Sequence, residues 1–211
     1  MGEYIYTIGR EFGSDGKNVG IALAKQLGIK CYDKELLTEA AKQSGFCEEI
    51  FENHDERPTS SFLYSLVMDT YSINGYASSA PFLDMPLNHK VFLAQFEAIK
   101  KIAAEGPCVL VGRCADYALA ENPNCINVFV HADLDYRIEN MKKRFDMNDK
   151  QAKDTLTKKD KQRASYYNYY TSKKWGDSRS YHLTLDISKL GIEGCVDMII
   201  RYSELLDAAK K

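Results

Sequence analysis

The 211 residues are 45% hydrophobic and 27% charged, with 13 Gly and 5 Pro, a composition that excludes disordered, collagenous and low-complexity chains. The length suits one compact domain, or one domain with a small insertion. The formal charge of −2 excludes a strongly basic nucleic-acid binder, and no apolar run approaches the ~18 residues of a transmembrane helix.

Tyr4–Ile8 is a short apolar, β-prone run ending at Gly9, and it reads as a strand. From Lys17 to Leu27 the spacing of Val19, Ala22, Leu23 and Leu27 predicts a helix, with Gly28 placed to stop it. Lys30–Tyr32 reads as a second short strand, and Lys34–Ser44 as a helix ended by Gly45. Residues 46–87 are rich in Ser, Tyr, Asn and Pro and have no long periodic element. Irregular chain of that length inside a compact domain points to a lid or an inserted region.

A helix is expected from Asn88 to Glu105, ended by Gly106-Pro107. Cys108–Val111 and Ile126–His131 are continuous apolar runs, as in a parallel sheet covered on both faces. Asp135–Phe145 carries Ile138, Met141 and Phe145 on one helical face. Asn148, with Gln151 three residues later, opens a further helix in a capping-box pattern, running toward Tyr170. Leu183–Asp186 is a last strand, and Ile192, Val196, Ile199, Ile200 and Leu206 mark an amphipathic closing helix. This alternation predicts an α/β fold with a mostly parallel five-stranded sheet flanked by helices, in a single domain spanning residues 1–211.

Six cysteines (31, 47, 108, 114, 125, 195) form no C-x-x-C pair, and four histidines (54, 89, 131, 182) form no H-E-x-x-H, so zinc-site spacing is absent. The N-terminal MGEYIYTIGR lacks the basic-then-apolar pattern of a secretory signal. A soluble, cytoplasmic protein without a membrane partner is the expectation. Charge is uneven: Arg137 to Arg179 holds 13 Lys+Arg against 6 Asp+Glu, a balance of +7. Such a segment is a solvated helix face or a holder of polyanions.

The first strand runs into GREFGSDGKN (Gly9–Asn18), and a helix follows. A Gly-rich turn there aims backbone N–H groups at one point, and the helix N-terminus adds its positive dipole end. Against the G-x-x-x-x-G-K-[S/T] template, Gly16-Lys17 matches, Glu11 stands at the first Gly position, and Asn18 replaces the hydroxyl residue. Gly13, Ser14, Asp15, Gly16, Lys17 and Asn18 form the expected phosphate cradle, Lys17 supplying a point charge. Arg10 either reaches phosphate or pairs with Glu11. Without an offsetting Arg10 or metal, Glu11 works against bound phosphate.

Four segments together carry a resemblance: IGREFGSDGKN (Ile8–Asn18), CYDKELL (Cys31–Leu37), VLVGRCAD (Val109–Asp116) and the stretch from Arg137 ending in DKQRASYYNYY (Asp160–Tyr170). The sequence resembles the cytidylate kinase-like family, a branch of the P-loop nucleoside monophosphate kinases. The resemblance implies a P-loop kinase fold, ATP as phosphoryl donor, Mg²⁺, and a small-molecule acceptor such as a nucleotide. It also implies an acceptor-binding insertion at 46–90 and a basic helical lid at 137–179.

Lys17, Arg113, Arg137 and Arg163 are then the catalytic candidates, with Arg144 and Lys161 as further lid cations. Arg113, after the CVLV strand, suits a bidentate phosphate contact. Asp33 and Asp116 are candidates for substrate contact and, through water, for Mg²⁺, each with helix capping as the alternative. The tyrosines at 166, 167, 169 and 170 read mainly as packing, with hydroxyls at a wet edge. A homodimer through the tyrosine-rich segments is a further expectation. The competing readings are a nucleotide-binding regulator with a decayed site, and nucleic-acid binding through 137–179.

Overall fold

The computed structural model describes residues 3–44, 50, 56 and 86–210. Most of the expected insertion at 46–90 lies outside the described residues. The elements, in chain order, are β1 (Ile5–Arg10), α1 (Gly16–Leu27), β2 (Lys30–Tyr32), α2 (Glu35–Ser44) and α3 (Leu87–Ala104). Then come β3 (Cys108–Val111), α4 (Ala115–Ala118), β4 (Cys125–His131), α5 (Leu134–Phe145) and α6 (Asp149–Thr171). A 3₁₀ turn at Ser178–Ser180 precedes β5 (Leu183–Asp186) and α7 (Ile187–Ala209).

The five strands form one sheet in the order β2-β3-β1-β4-β5, and every pairing is parallel. Tyr6 stands opposite Val109 on one side and Ile126 on the other, so β1 lies at the centre. A parallel sheet needs both faces covered. On one face α1 and α7 bury Val19, Leu23, Val196 and Ile199 against Tyr6, Ile8, Val128 and Val130. On the other, α3 and α4 bury Ile99, Ile102, Ala115 and Ala118 against Ile5 and Leu110.

The expected elements are present with shifts at their ends. The strand read as Tyr4–Ile8 starts one residue later and continues to Arg10, because Gly9 and Arg10 still pair with Phe129 and Val130. Asn148 is an N-cap: its side chain accepts from the Gln151 N–H at 2.9 Å, while the Gln151 side chain accepts from the Asn148 N–H at 3.0 Å. The single-turn α4 and the 3₁₀ turn have no counterpart in the periodicity, being too short to show one. Among the described residues, no helix is long and apolar enough to cross a membrane.

Tyr166, Tyr167 and Tyr170 of α6 are buried against Phe92 of α3, with Phe92 and Tyr170 stacked at 3.9 Å between centroids. Their hydroxyls donate to Gln95 Oε1, Asp116 Oδ2 and the Asn88 carbonyl respectively. The cluster therefore packs, and it satisfies its hydroxyls within the protein.

Candidate active site

The C-terminal ends of β1, β2 and β3 converge beside the N-terminus of α1, the crevice where open α/β sheets place ligands. Between β1 and α1 the chain turns sharply through two left-handed residues, Gly13 (φ 77°) and Asp15 (φ 64°). A β-carbon at Gly16 would stand 2.5 Å from Arg10 Cβ, so only glycine lets α1 start this close to the strand. Ser14 is fully buried, and its hydroxyl donates inward to the Glu11 carbonyl at 2.9 Å and the Val130 carbonyl at 3.3 Å. The serine braces the loop from inside.

The backbone N–H groups of the loop sort into two sets. That of Glu11 donates to the Val130 carbonyl, that of Phe12 to Asp160 Oδ1, and those of Ser14 and Gly16 make long internal bonds. The N–H groups of Gly13, Asp15, Lys17 and Asn18 find no acceptor among the described residues. Unpaired N–H groups at a helix N-terminus carry positive potential and suit an oxyanion. No acidic residue stands in the first turn of α1 to neutralise it.

Lys17, half-exposed, places its Nζ 2.8 Å from Asp33 Oδ2 at the end of β2. Arg113 donates through Nη1 to the Asp33 carbonyl at 2.6 Å and approaches Asp33 Oδ1 at 3.3 Å. Burial pushes the Asp33 carboxyl up, but the Lys17 hydrogen bond and the Arg113 charge outweigh it and hold the group below the ordinary carboxylate range. Asp33 is an ionised hub between two cations. Arg113 sits in a run of three left-handed residues, Gly112 (φ 77°), Arg113 (φ 52°) and Cys114 (φ 57°). Two of these are not glycine, which costs about 1–2 kcal/mol each. The buried guanidinium bonds offset that cost and hold Arg113 against Asp33 and the Val111 carbonyl.

Arg10 pairs with Glu56 rather than Glu11: Nη1 donates to Glu56 Oε1 at 2.8 Å, and Arg163 Nε donates to Oε2 at 3.0 Å. Burial opposes ionisation of Glu56, but Arg10, Arg163 and Arg113 outweigh it and hold the carboxyl far below its usual range. Among the described residues, Lys17 and Arg113 meet Asp33 at this edge, and Arg10 and Arg163 meet Glu56.

The other flank of the loop is held by α5 and α6. Glu11 Oε2 accepts the Ala132 N–H at 3.1 Å and lies 3.6 Å from Arg137 Nη1, so Arg137 rather than Arg10 stands beside its charge. Asp15 accepts from Asn18, Tyr136, Asn140 and Arg144, which turns its carboxylate away from the cradle. Arg137 Nη1 donates to Asp160 Oδ2 at 2.5 Å and to the Phe12 carbonyl at 3.3 Å. Its Nε is buried without an acceptor among the described residues. Lys161 is exposed on the outer face of α6.

Asp116 is buried, accepts the Tyr167 hydroxyl at 2.6 Å, and has its carboxyl pushed up by burial, an effect the Tyr167 bond partly offsets. It lines a cavity of about 30 Å³ with Gly9, Arg10, Arg113, Tyr167 and Tyr181. A divalent cation needs a reachable, ionised carboxylate; the cations beside Asp33 favour its ionised form, while burial works against ionisation of Asp116. Among the described residues, no group of three acidic, His or Cys side chains could hold a metal by itself.

The structure thus brings Lys17, Asp33, Arg113, Arg10 and Arg163 to one edge, with Arg137 on the opposite side of the loop. Two participants escape the sequence. Glu56 lies in a stretch without periodicity, where nothing distinguishes it from its neighbours. Asp160 sits in a helix whose lysines dominate its reading, and its spacing from Leu156 and Arg163 is the signal that places all three on one face.

The molecule is similar to the crystal structure of an uncharacterized protein from Eubacterium ventriosum ATCC 27560. The two are 32% identical with a TM-score of 0.70, over 95% of this chain and 98% of that one. It shares its fold with shikimate kinase from Bacteroides thetaiotaomicron (15% identity, TM-score 0.52, 98% and 99% covered). It also shares it with a gluconokinase from Sinorhizobium meliloti 1021 (14% identity, TM-score 0.53, 99% and 98% covered). No curated protein matches the chain. The model of the cytidylate kinase-like family matches residues 5–189, which takes in the loop, the Asp33 hub, the Arg113 turn and both loop-flanking helices. With a P-loop kinase sheet beneath these features, the chain belongs to the cytidylate kinase-like family, whose fold is that of phosphotransferases.

Proposed function

We propose that the protein transfers the γ-phosphoryl group of ATP to a small anionic acceptor, with nucleoside monophosphates as the first class to test. The observation that carries this reading is the set of four N–H groups, from Gly13, Asp15, Lys17 and Asn18, that find no acceptor among the described residues, beside the Lys17 ammonium. Phosphoryl transfer asks a protein mainly for positioning and charge neutralisation. In this reading the N–H groups hold the donor phosphates, and Lys17 exchanges its Asp33 contact for a phosphate oxygen. Arg10, Arg113 and Arg163 stand at the sheet edge as the cations that would meet the anionic acceptor. Mg²⁺ would neutralise donor phosphate charge when bound, and Asp33 would hold it through water. Asn18, without a hydroxyl, offers the ion no direct ligand.

Two observations favour a second reading, a nucleotide-binding regulator: Lys17 is engaged by Asp33, and Asn18 departs from the P-loop template. Mg²⁺-dependent ADP release from ATP separates the two. The panel is nucleoside monophosphates, nucleosides, shikimate and gluconate. Acceptor-stimulated turnover names the acceptor class. ATP binding with no turnover across the panel would leave the regulator.

A further inference from the structure

We propose that Asp160 is the positioning residue of the phosphate loop: its carboxylate staples the Phe12 peptide to α6 and thereby aims the loop's free N–H groups. The proposal rests on the phosphate-binding reading above. Asp160 Oδ1 accepts the Phe12 N–H at 2.7 Å, and its Oδ2 accepts Arg137 Nη1 at 2.5 Å. Arg137 in turn donates to the Phe12 carbonyl at 3.3 Å. One carboxylate–guanidinium pair therefore grips both the N–H and the C=O of the same residue.

The consequence follows from peptide planarity. The Phe12 carbonyl and the Gly13 N–H belong to one rigid plane and point in opposite directions. Fixing the carbonyl fixes the direction of the first free N–H of the cradle. Gly13 makes that restraint necessary, since at φ 77° without a β-carbon it has wide freedom to rotate. The neighbouring plane, which joins the Glu11 carbonyl to the Phe12 N–H, is held at both ends, by Ser14 and by Asp160.

The grip comes from one face of α6. Leu156, Asp160 and Arg163 are spaced i, i+4 and i+7, and all three meet the loop. A β-carbon on Gly13 would stand 2.9 Å from Leu156 Cδ2. Arg163 donates to the Arg10 carbonyl at 3.2 Å and lies 5.2 Å from the centre of the Phe12 ring. A carboxylate placed beside an anion-binding loop is electrostatically adverse, and the Arg137 pair offsets that charge while leaving its geometric role intact.

The test uses the full chain at 20 °C, comparing wild type, Asp160→Ala and Asp160→Asn. Calorimetry with Mg·ATP gives affinity, and hydrogen exchange gives protection of the 10–16 amides. Asp160→Ala is expected to weaken ATP binding about tenfold or more, the loss of one charge-assisted bond. Exchange should speed up at 10–16 and stay unchanged in β3 and β4. Asp160→Asn keeps an oxygen for the Phe12 N–H and should stay within about threefold of wild type, since that bond is retained.

A purely structural role would lower the melting temperature without moving the ATP affinity of the folded protein, and that result overturns the proposal. Equal losses in the two variants would assign the effect to charge and overturn it as well. Should Asp160→Ala not fold, Asp160→Leu supplies the same contrast without the cavity. Failure of wild type to bind ATP would remove the phosphotransferase reading, while the exchange contrast would still decide whether Asp160 holds the loop.

Discussion

Gly112→Ala is the sharpest perturbation of the site, because two independent costs meet there. Gly112 has φ 77°, where a β-carbon costs about 1–2 kcal/mol. That β-carbon would also stand 1.9 Å from Arg10 Nη1 and 2.9 Å from Glu56 Oε1. The guanidinium is the far end of a flexible side chain, so it yields, and its 2.8 Å bond to Glu56 is lost. A hydrogen bond to a charged group contributes about 1.5–3 kcal/mol. The two terms give about 3–5 kcal/mol, or a fall in Tm of roughly 6–20 °C for a chain of this size. Denaturant unfolding of Gly112→Ala, Arg10→Ala and the double variant separates them. With Arg10 already truncated, Gly112→Ala should cost only the backbone part, about 1–2 kcal/mol, leaving a coupling of about 2–3 kcal/mol. Additive single and double effects would refute the Arg10 clash.

Three further outcomes are expected. Lys17→Ala should lower phosphoryl transfer ~10²–10³-fold with the fold intact; a variant as active as wild type would remove Lys17 from the chemistry. Burial lowers the His89 pKa to about 4, so the unfolded chain binds the extra proton between pH 6.5 and about 4 and stability falls as pH drops through that window. The loss is at most about 3 kcal/mol, and His89→Phe should flatten it; an unchanged slope in that variant would contradict the assignment. Asp33, held low by Lys17 and Arg113, contributes stability that is present above its unfolded pKa and disappears as pH falls through the lower folded value. Asp33→Asn should therefore lose less stability than wild type on acidification, with Glu56 retaining part of the dependence.

The inner strands β1, β3 and β4 were legible because each is largely a continuous apolar run, and burial on both faces demands that pattern. Cys108–Val111 and Leu183–Asp186 match residue for residue. Lys17, Asp33 and Arg113 were legible for a related reason. Each follows a glycine or a strand end, and parallel topology sends all strand ends of one kind to the same edge. Glu56 and Asp160 were not legible, since their roles depend on contacts across 46 residues to Arg10 and 148 residues to Phe12. The direction of Asp15 was hidden as well. Its position in the loop predicts a phosphate neighbour, whereas its left-handed backbone turns the carboxylate toward Tyr136 and Asn140.

The central place of β1 also constrains how the chain reaches its native state. Thr7 and Asn127, whose side chains meet at 2.7 Å, are 120 residues apart, and the other neighbour of β1 is β3. β1 must therefore wait until β3 has been made before either partner exists. Long-range parallel pairing of this kind is slow and leaves a strand edge open to wrong partners. Tyr4, Ile5, Tyr6 and Ile8, all buried in the finished sheet, form the sticky edge of the nascent protein. Chaperone demand during synthesis should fall only once β4 has emerged.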